Sequence, residues 1–246
     1  MSSTVPPPDL LDGISRGLFR FRGVTPLPVL VATVVLSWRA HIFPGPGGEA
    51  VDGALNFLGV GTTLVGWAMR FTTAGFEPTA RSQTRRLHAS ALHTGGAYHL
   101  VRHPLYLGNA LITLGLLMVL HRAVGYLLVL PAFALEYALL IRAEERLLHQ
   151  TFGARWEAWS KDVPCFVPRL HWVAAFGGRP FDWRTAIRRE MTPLVSLGLS
   201  ALLLLEWEWW ARMHLTPSRS LGVRVGIGAL LGLLVANKVW KKVEPR

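Results

Sequence analysis

The 246-residue chain is 51% apolar and only 17% charged, yet it carries a formal net charge of +11. A soluble domain devotes about 25% of its residues to charge, so this composition excludes an ordinary water-soluble domain. A single cysteine excludes an internal disulfide and any multi-thiolate metal centre.

The first 23 residues open on a Pro-rich tail without the basic start and apolar core of a cleaved signal. The stretch "LLDGISRGLFRFRG" that follows alternates Leu, Ile and Phe with Arg and predicts an amphipathic segment at a membrane surface. Six apolar blocks come next, at about 26–43, 53–70, 105–120, 123–141, 193–210 and 221–238. Each approaches the roughly 17–25 residues that cross a bilayer core. The expected class is therefore all-α, a multispan helical membrane protein of about six transmembrane helices. Three regions divide it: residues 1–23, a core of four spans over 24–170, and an extension over 171–246. That extension holds a second basic amphipathic stretch, "GGRPFDWRTAIRREM", and the last two spans.

Basic residues alternate between the connections. Arg16, Arg20 and Arg22 precede the first block; Arg70, Arg81, Arg85, Arg86 and Arg102 lie between the second and third; Lys238, Lys241, Lys242 and Arg246 close the chain. Because Lys and Arg accumulate in cytoplasmic loops, both termini and the connections 71–102 and 142–192 are expected on the cytoplasmic side. Charge placed beside apolar spans points to anionic lipid headgroups and away from nucleic acid. Ten tryptophans, several at block ends, fit an interfacial aromatic belt.

Two polar clusters stand out against this background. In "GAYHLVRHPLYLGN", residues 96–109, Pro104 suits the first turn of a helix, where a missing N–H costs nothing. The third span then begins at about residues 103–105, with Arg102 just outside it and Tyr106 one turn in. A cation, an imidazole, a phenol and unpaired helix-start N–H groups gathered there suit an anion, although a snorkelling Arg and a belt Tyr give the same pattern. In "LEYALLIRAEERLLHQTFGARWEAW", residues 135–159, the fourth span runs without a breaker into a charged helix. Glu144 shares a face with Leu148 and Phe152, so one carboxylate can point inward and then needs a partner. The alternative pairs Glu145 with Arg142 or Arg146 on a solvated face. Cys165, between prolines, reads as a packed thiol. The nine histidines offer no pair in a metal-ligand setting, so no metal is expected.

Taken in order, these two stretches and the "VPCFVPRL" that follows resemble the isoprenylcysteine carboxyl methyltransferase and phospholipid methyltransferase families of integral membrane enzymes. The matching positions are Gly96, Tyr98, Arg102, His103, Pro104, Tyr106, Gly108, Glu144, Glu145, Leu148, Phe152, Gly153, Val163 and Pro168. The likeness covers about residues 72–170; Trp156 and Trp159 stand where that family has tyrosines. It implies S-adenosylmethionine as cofactor, held at the cytoplasmic end of the third and fourth spans by Gly96, Tyr98, His103, Pro104, Tyr106, Glu144 and Glu145. Arg102, Arg142 and Glu145 are the implied catalytic residues. An Arg would orient an anionic acceptor, and a glutamate would serve as base toward an amine. The expected acceptor is a lipid or a prenylated small molecule, preferably an isoprenylcysteine-type carboxylate. The alternatives are ethanolamine phospholipid N-methylation, a sterol-reductase-like NADPH enzyme and an inactive membrane scaffold.

Overall fold

The computed structural model describes residues 48–78, 91–120, 122–168, 180–211 and 217–243. Among the described residues the regular structure is helical, with no strand. Helix α1 spans Gly48–Phe76, and a 3-10 turn at Gly96–His99 precedes α2, Pro104–Leu120. Then come α3, Ala123–Phe152; α4, Ala154–Asp162; α5, Trp183–Ala211; and α6, Pro217–Val243. The expected all-α class holds. Five of the six apolar blocks fall within α1, α2, α3, α5 and α6, whereas the amphipathic segment and the block at 26–43 lie outside the described residues.

Among the described helices, α3 is long and apolar enough to cross a membrane, while α2 is apolar but shorter. Much of the apolar surface of α3 faces outward, with Leu127 at 73% and Leu135 at 65% exposure. On α1, Phe57, Leu58 and Val60 are likewise exposed. Water penalises such surface; a hydrocarbon solvent does not.

Among the described helices, the most extensive pairing is α1 against α2. Two glycines on each helix, seven residues apart, make it possible. A Cβ on Gly66 would stand 2.6 Å from the Gly108 carbonyl oxygen, and one on Gly59 would stand 2.6 Å from that of Gly115. The pairs run in opposite directions along the chain, so the helices are antiparallel and their backbones nearly touch. Small residues allow this approach where packing, rather than water exclusion, holds helices together.

Helix α5 lies against both α1 and α6. Its N-terminus is capped by Asp182, whose carboxylate accepts from the Thr185 N–H (2.9 Å) and the Thr185 hydroxyl (2.6 Å). Residues 183–191 of the expected basic amphipathic stretch are the first turns of this helix, which continues through Pro193. Phe181 and Trp183 pack with Phe71 of α1, and Phe181 meets Phe76 edge-on. Deeper in, Arg70 of α1 forms a bidentate ion pair with Glu190 of α5, at 2.8 and 3.0 Å. Arg70 also donates to Asn109 Oδ1 of α2 (2.5 Å), and Asn109 Nδ2 donates to the Tyr137 hydroxyl of α3 (2.8 Å). One polar network therefore ties four helices together.

Candidate functional site

Three segments converge: the turn into α2, the polar end of α3, and the chain after α4. The turn is held from below by Ala97, Leu100 and Val101, which are almost wholly buried. Gly96 begins it at φ +55°, with Phe76 where a Cβ would go. Pro104 is the first residue of α2, as its missing N–H favours. The Arg102 N–H donates to the Pro164 carbonyl (2.8 Å), which pins the segment after α4 against the α2 entrance.

On the opposite wall α3 runs unbroken from its apolar half into "RAEERLLHQTF", ending at Gly153, whose φ of +49° only glycine adopts freely. Beyond the apolar run, Glu145 Oε1 forms an ion pair with Arg102 Nη1 (2.8 Å) and accepts from His103 Nε2 (3.1 Å). His103 is buried, its Nδ1 lies 3.8 Å from Glu144 Oε2, and its ring stacks on buried Tyr106 (centroids 5.5 Å apart, interplanar angle 14°). Tyr106 in turn meets Tyr137 edge-on.

The electrostatics follow from these contacts. Burial opposes the charge on Glu145, but the hydrogen bond and charge of His103, the Arg102 guanidinium and a hydrogen bond from the Cys165 thiol hold its carboxyl below the ordinary value. Burial and the Glu145 charge push the Cys165 thiol up. Burial, then the carboxylates of Glu144 and Glu77, raise the Tyr98 phenol above its ordinary value, so it remains a neutral donor. Tyr98 packs beside His93, which is paired with Glu77 at 3.0 Å.

Arg102, His103, Pro104, Tyr106, Glu144 and Glu145 thus meet at one place, with Gly96 and Tyr98 in the adjoining turn. Arg142 does not join them: it is exposed on α3. Glu145 is the carboxylate that closes on the Arg-His pair, while Glu144 is more open, at 36% side-chain exposure. Glu145, which the alternative reading puts on a solvated face, turns to Arg102 and His103. Helical spacing could not reveal this, because Arg102 and His103 approach from another segment. Cys165 at the same carboxylate and the Arg70–Glu190–Asn109–Tyr137 network were not anticipated; the only sequence signal for the network is charge inside apolar helices.

Among the described residues, Arg102 Nε at this cluster is buried without an acceptor, as are the indole N–H groups of Trp156 and Trp159 on α4. A guanidinium ion-paired with Glu145 through Nη1, with its Nε unsatisfied, fits an anionic ligand group. The half-open Glu144 carboxylate beside it fits a cationic one. This set is compatible with an anionic acceptor at Arg102 and with the ammonium of S-adenosylmethionine at Glu144.

Residues 54–155 match the phospholipid methyltransferase family. The chain is 44% identical to the cobalt-zinc-cadmium resistance protein CzcN of Cupriavidus metallidurans over 117 residues, 47% of this chain and 49% of that one. It is 34% identical over 117 residues to the protein-S-isoprenylcysteine O-methyltransferase of Schizosaccharomyces pombe, 48% of this chain and 49% of that protein. It is 30% identical over 125 residues to the nickel-cobalt-cadmium resistance protein NccN of Alcaligenes xylosoxydans xylosoxydans, 51% of this chain and 52% of the relative. The chain spans about half the length of the curated relatives it matches. No solved structure matches it. Residues 54–155 therefore carry the pattern of the phospholipid methyltransferase family, and the resemblance to integral membrane methyltransferases read from the Arg-His-Pro and Glu-Glu motifs holds for that segment.

Proposed function

We propose that this chain is an integral membrane methyltransferase that uses S-adenosylmethionine to methylate a lipophilic acceptor, preferably an isoprenylcysteine-type carboxylate. The observation that carries this reading is the Arg102–Glu145–His103 cluster, with Arg102 Nε buried and without an acceptor at the mouth of an apolar helix. The family match and the isoprenylcysteine relative support it.

The cofactor, when bound, supplies an electrophilic methyl group on a sulfonium. The chain's own residues then have separable tasks. Glu144 accepts from the cofactor ammonium, and His103 with the first N–H groups of α2 faces its carboxylate. Tyr98 and Tyr106 pack against adenine or sulfonium. Arg102 orients the acceptor carboxylate, a nucleophile that needs position rather than deprotonation. Arg102 suits that task better than exposed Arg142. In this reading both termini and the connections 71–102 and 142–192 are cytoplasmic, so a water-soluble donor meets a lipid-soluble acceptor at the membrane face. The core of residues 24–170 carries the chemistry, and 171–246 braces it.

A second reading, N-methylation of a phospholipid amine, is favoured by the family that residues 54–155 match. An amine must first lose a proton, and the more open Glu144 is the base within reach. Membranes carrying the protein are incubated with radiolabelled methyl donor and the lipid extract is treated with base. Base-labile label is the ester expected here, whereas base-stable label assigns the amine reading. NADPH binding without binding of the methyl donor overturns both.

A further inference from the structure

We infer that His103, Glu145 and Cys165 form a binding site for a thiophilic divalent cation of the Zn(II) and Cd(II) class, overlapping the proposed cofactor site. One ligand atom from each residue lies within 4.8 Å of the other two. Ligand atoms on one tetrahedral Zn(II) lie roughly 3.3–3.6 Å apart, so the widest pair closes by at most about 1.5 Å to complete the inner shell.

The three donors come from three segments: the α2 entrance, the polar end of α3, and the chain after α4. The Arg102–Pro164 backbone hydrogen bond holds the first and last together, so the cluster does not depend on one flexible loop. The chemistry of the set is selective. A thiolate and an imidazole favour Zn(II) or Cd(II) over Mg(II) and Ca(II), which take oxygen ligands. With Nε2 turned to a cation, His103 Nδ1 lies 3.8 Å from Glu144 Oε2, so a shift of about 1 Å would bring that carboxylate into the hydrogen bond that orients an imidazole ligand. Three protein ligands leave a fourth position open to water.

Arg102 opposes the cation. Its guanidinium shares Glu145 Oε1 with His103, so metal binding at that oxygen exchanges an ion pair and a hydrogen bond for a metal bond. The thiol proton is released in the same step. The cation and the Arg102-bound arrangement are therefore alternatives. This second part rests on the proposed cofactor site: since both ligands claim His103, bound cation excludes the methyl donor.

The chain's single cysteine makes the test unambiguous. Detergent-purified protein, free of methyl donor, is titrated with Cd(II) while thiolate-to-metal charge-transfer absorption is followed in the ultraviolet. A saturable band is expected, absent in Cys165→Ser. His103→Ala and Glu145→Gln should each weaken the affinity by about tenfold or more, and Arg102→Ala should strengthen it by roughly tenfold. Far-ultraviolet circular dichroism checks that each variant keeps its helices. No band in the wild type, or equal affinity in the wild type, His103→Ala and Glu145→Gln, would mean a bare thiol at most and overturns the site. Adding S-adenosylmethionine to the Cd(II)-loaded protein should bleach the band. A band that forms as expected but resists the donor leaves the cation site standing and removes the cofactor placement instead.

Discussion

Gly96 carries two constraints at once. Its φ of +55° is a region that side-chain-bearing residues seldom adopt, and Phe76 Cβ lies 2.8 Å from where its own Cβ would be. Gly96→Ala should therefore cost about 1–3 kcal/mol, read as a lower unfolding midpoint in detergent. Because the turn leads directly to Arg102 and His103, methyl-donor affinity should fall with it. The two neighbouring glutamates should separate. Glu145→Gln removes the counter-charge shared by Arg102 and His103, whereas Glu144→Gln leaves that cluster in place. In isothermal titration with S-adenosylmethionine, both should weaken binding, but only Glu145→Gln should also lower the unfolding midpoint. Equal midpoints in the two variants would contradict the geometry in which Glu145 closes the cluster.

At the scale of elements, the α1–α2 crossing and the start of α5 make opposite demands. The crossing needs nothing at Gly66 and Gly108, since any side chain meets backbone. Gly66→Leu should cost about 1–3 kcal/mol or more through overpacking, and a leucine at Gly61, where a Cβ meets nothing within 4 Å, should cost far less. The start of α5 needs the Asp182 cap. Its carboxyl is held below the ordinary value by the hydrogen bonds from Thr185. A depressed folded-state pKa means that this stabilisation is present above the ordinary carboxylate pKa and is lost as pH falls through the lower folded value. Asp182→Ala should cost about 1 kcal/mol at neutral pH. Asp182→Asn, which still caps but does not titrate, should keep most of the stability without that acid dependence. Both are measured as unfolding midpoints across an acid pH series.

Over the whole molecule, the Arg70–Glu190 pair decides whether the C-terminal helices are an appendage or part of the body. Both side chains are buried, and Glu190 lies outside the segment that matches the family. Glu190→Ala leaves Arg70 buried with no carboxylate and should cost about 3–5 kcal/mol. The double change Arg70→Met with Glu190→Leu removes both charges and should cost much less. If the single change proves as mild as the double, α5 does not rest on this pair. Through Asn109, Tyr137 and Tyr106 the same network reaches the His103 ring, so loosening α5 should also loosen the site.

Periodicity and composition were enough for the helical class, for five apolar blocks that became helices, and for the α2 start at Pro104, because each depends on local backbone preference and the polarity of consecutive residues. The motif order was enough to identify the methyltransferase-like segment. Which carboxylate faces the Arg-His pair was decided only in three dimensions: Glu144 and Glu145 are adjacent on one helix, and their partners arrive from forty residues away in the chain. The same holds for Cys165, which reads as a lone thiol until the Arg102–Pro164 hydrogen bond brings it to Glu145. Glu190 reads as one charge in a basic amphipathic stretch until the packing of α5 on α1 buries it against Arg70. Local sequence sets what each helix is; a buried charge is placed by whichever distant partner can neutralise it, and that choice belongs to the tertiary structure.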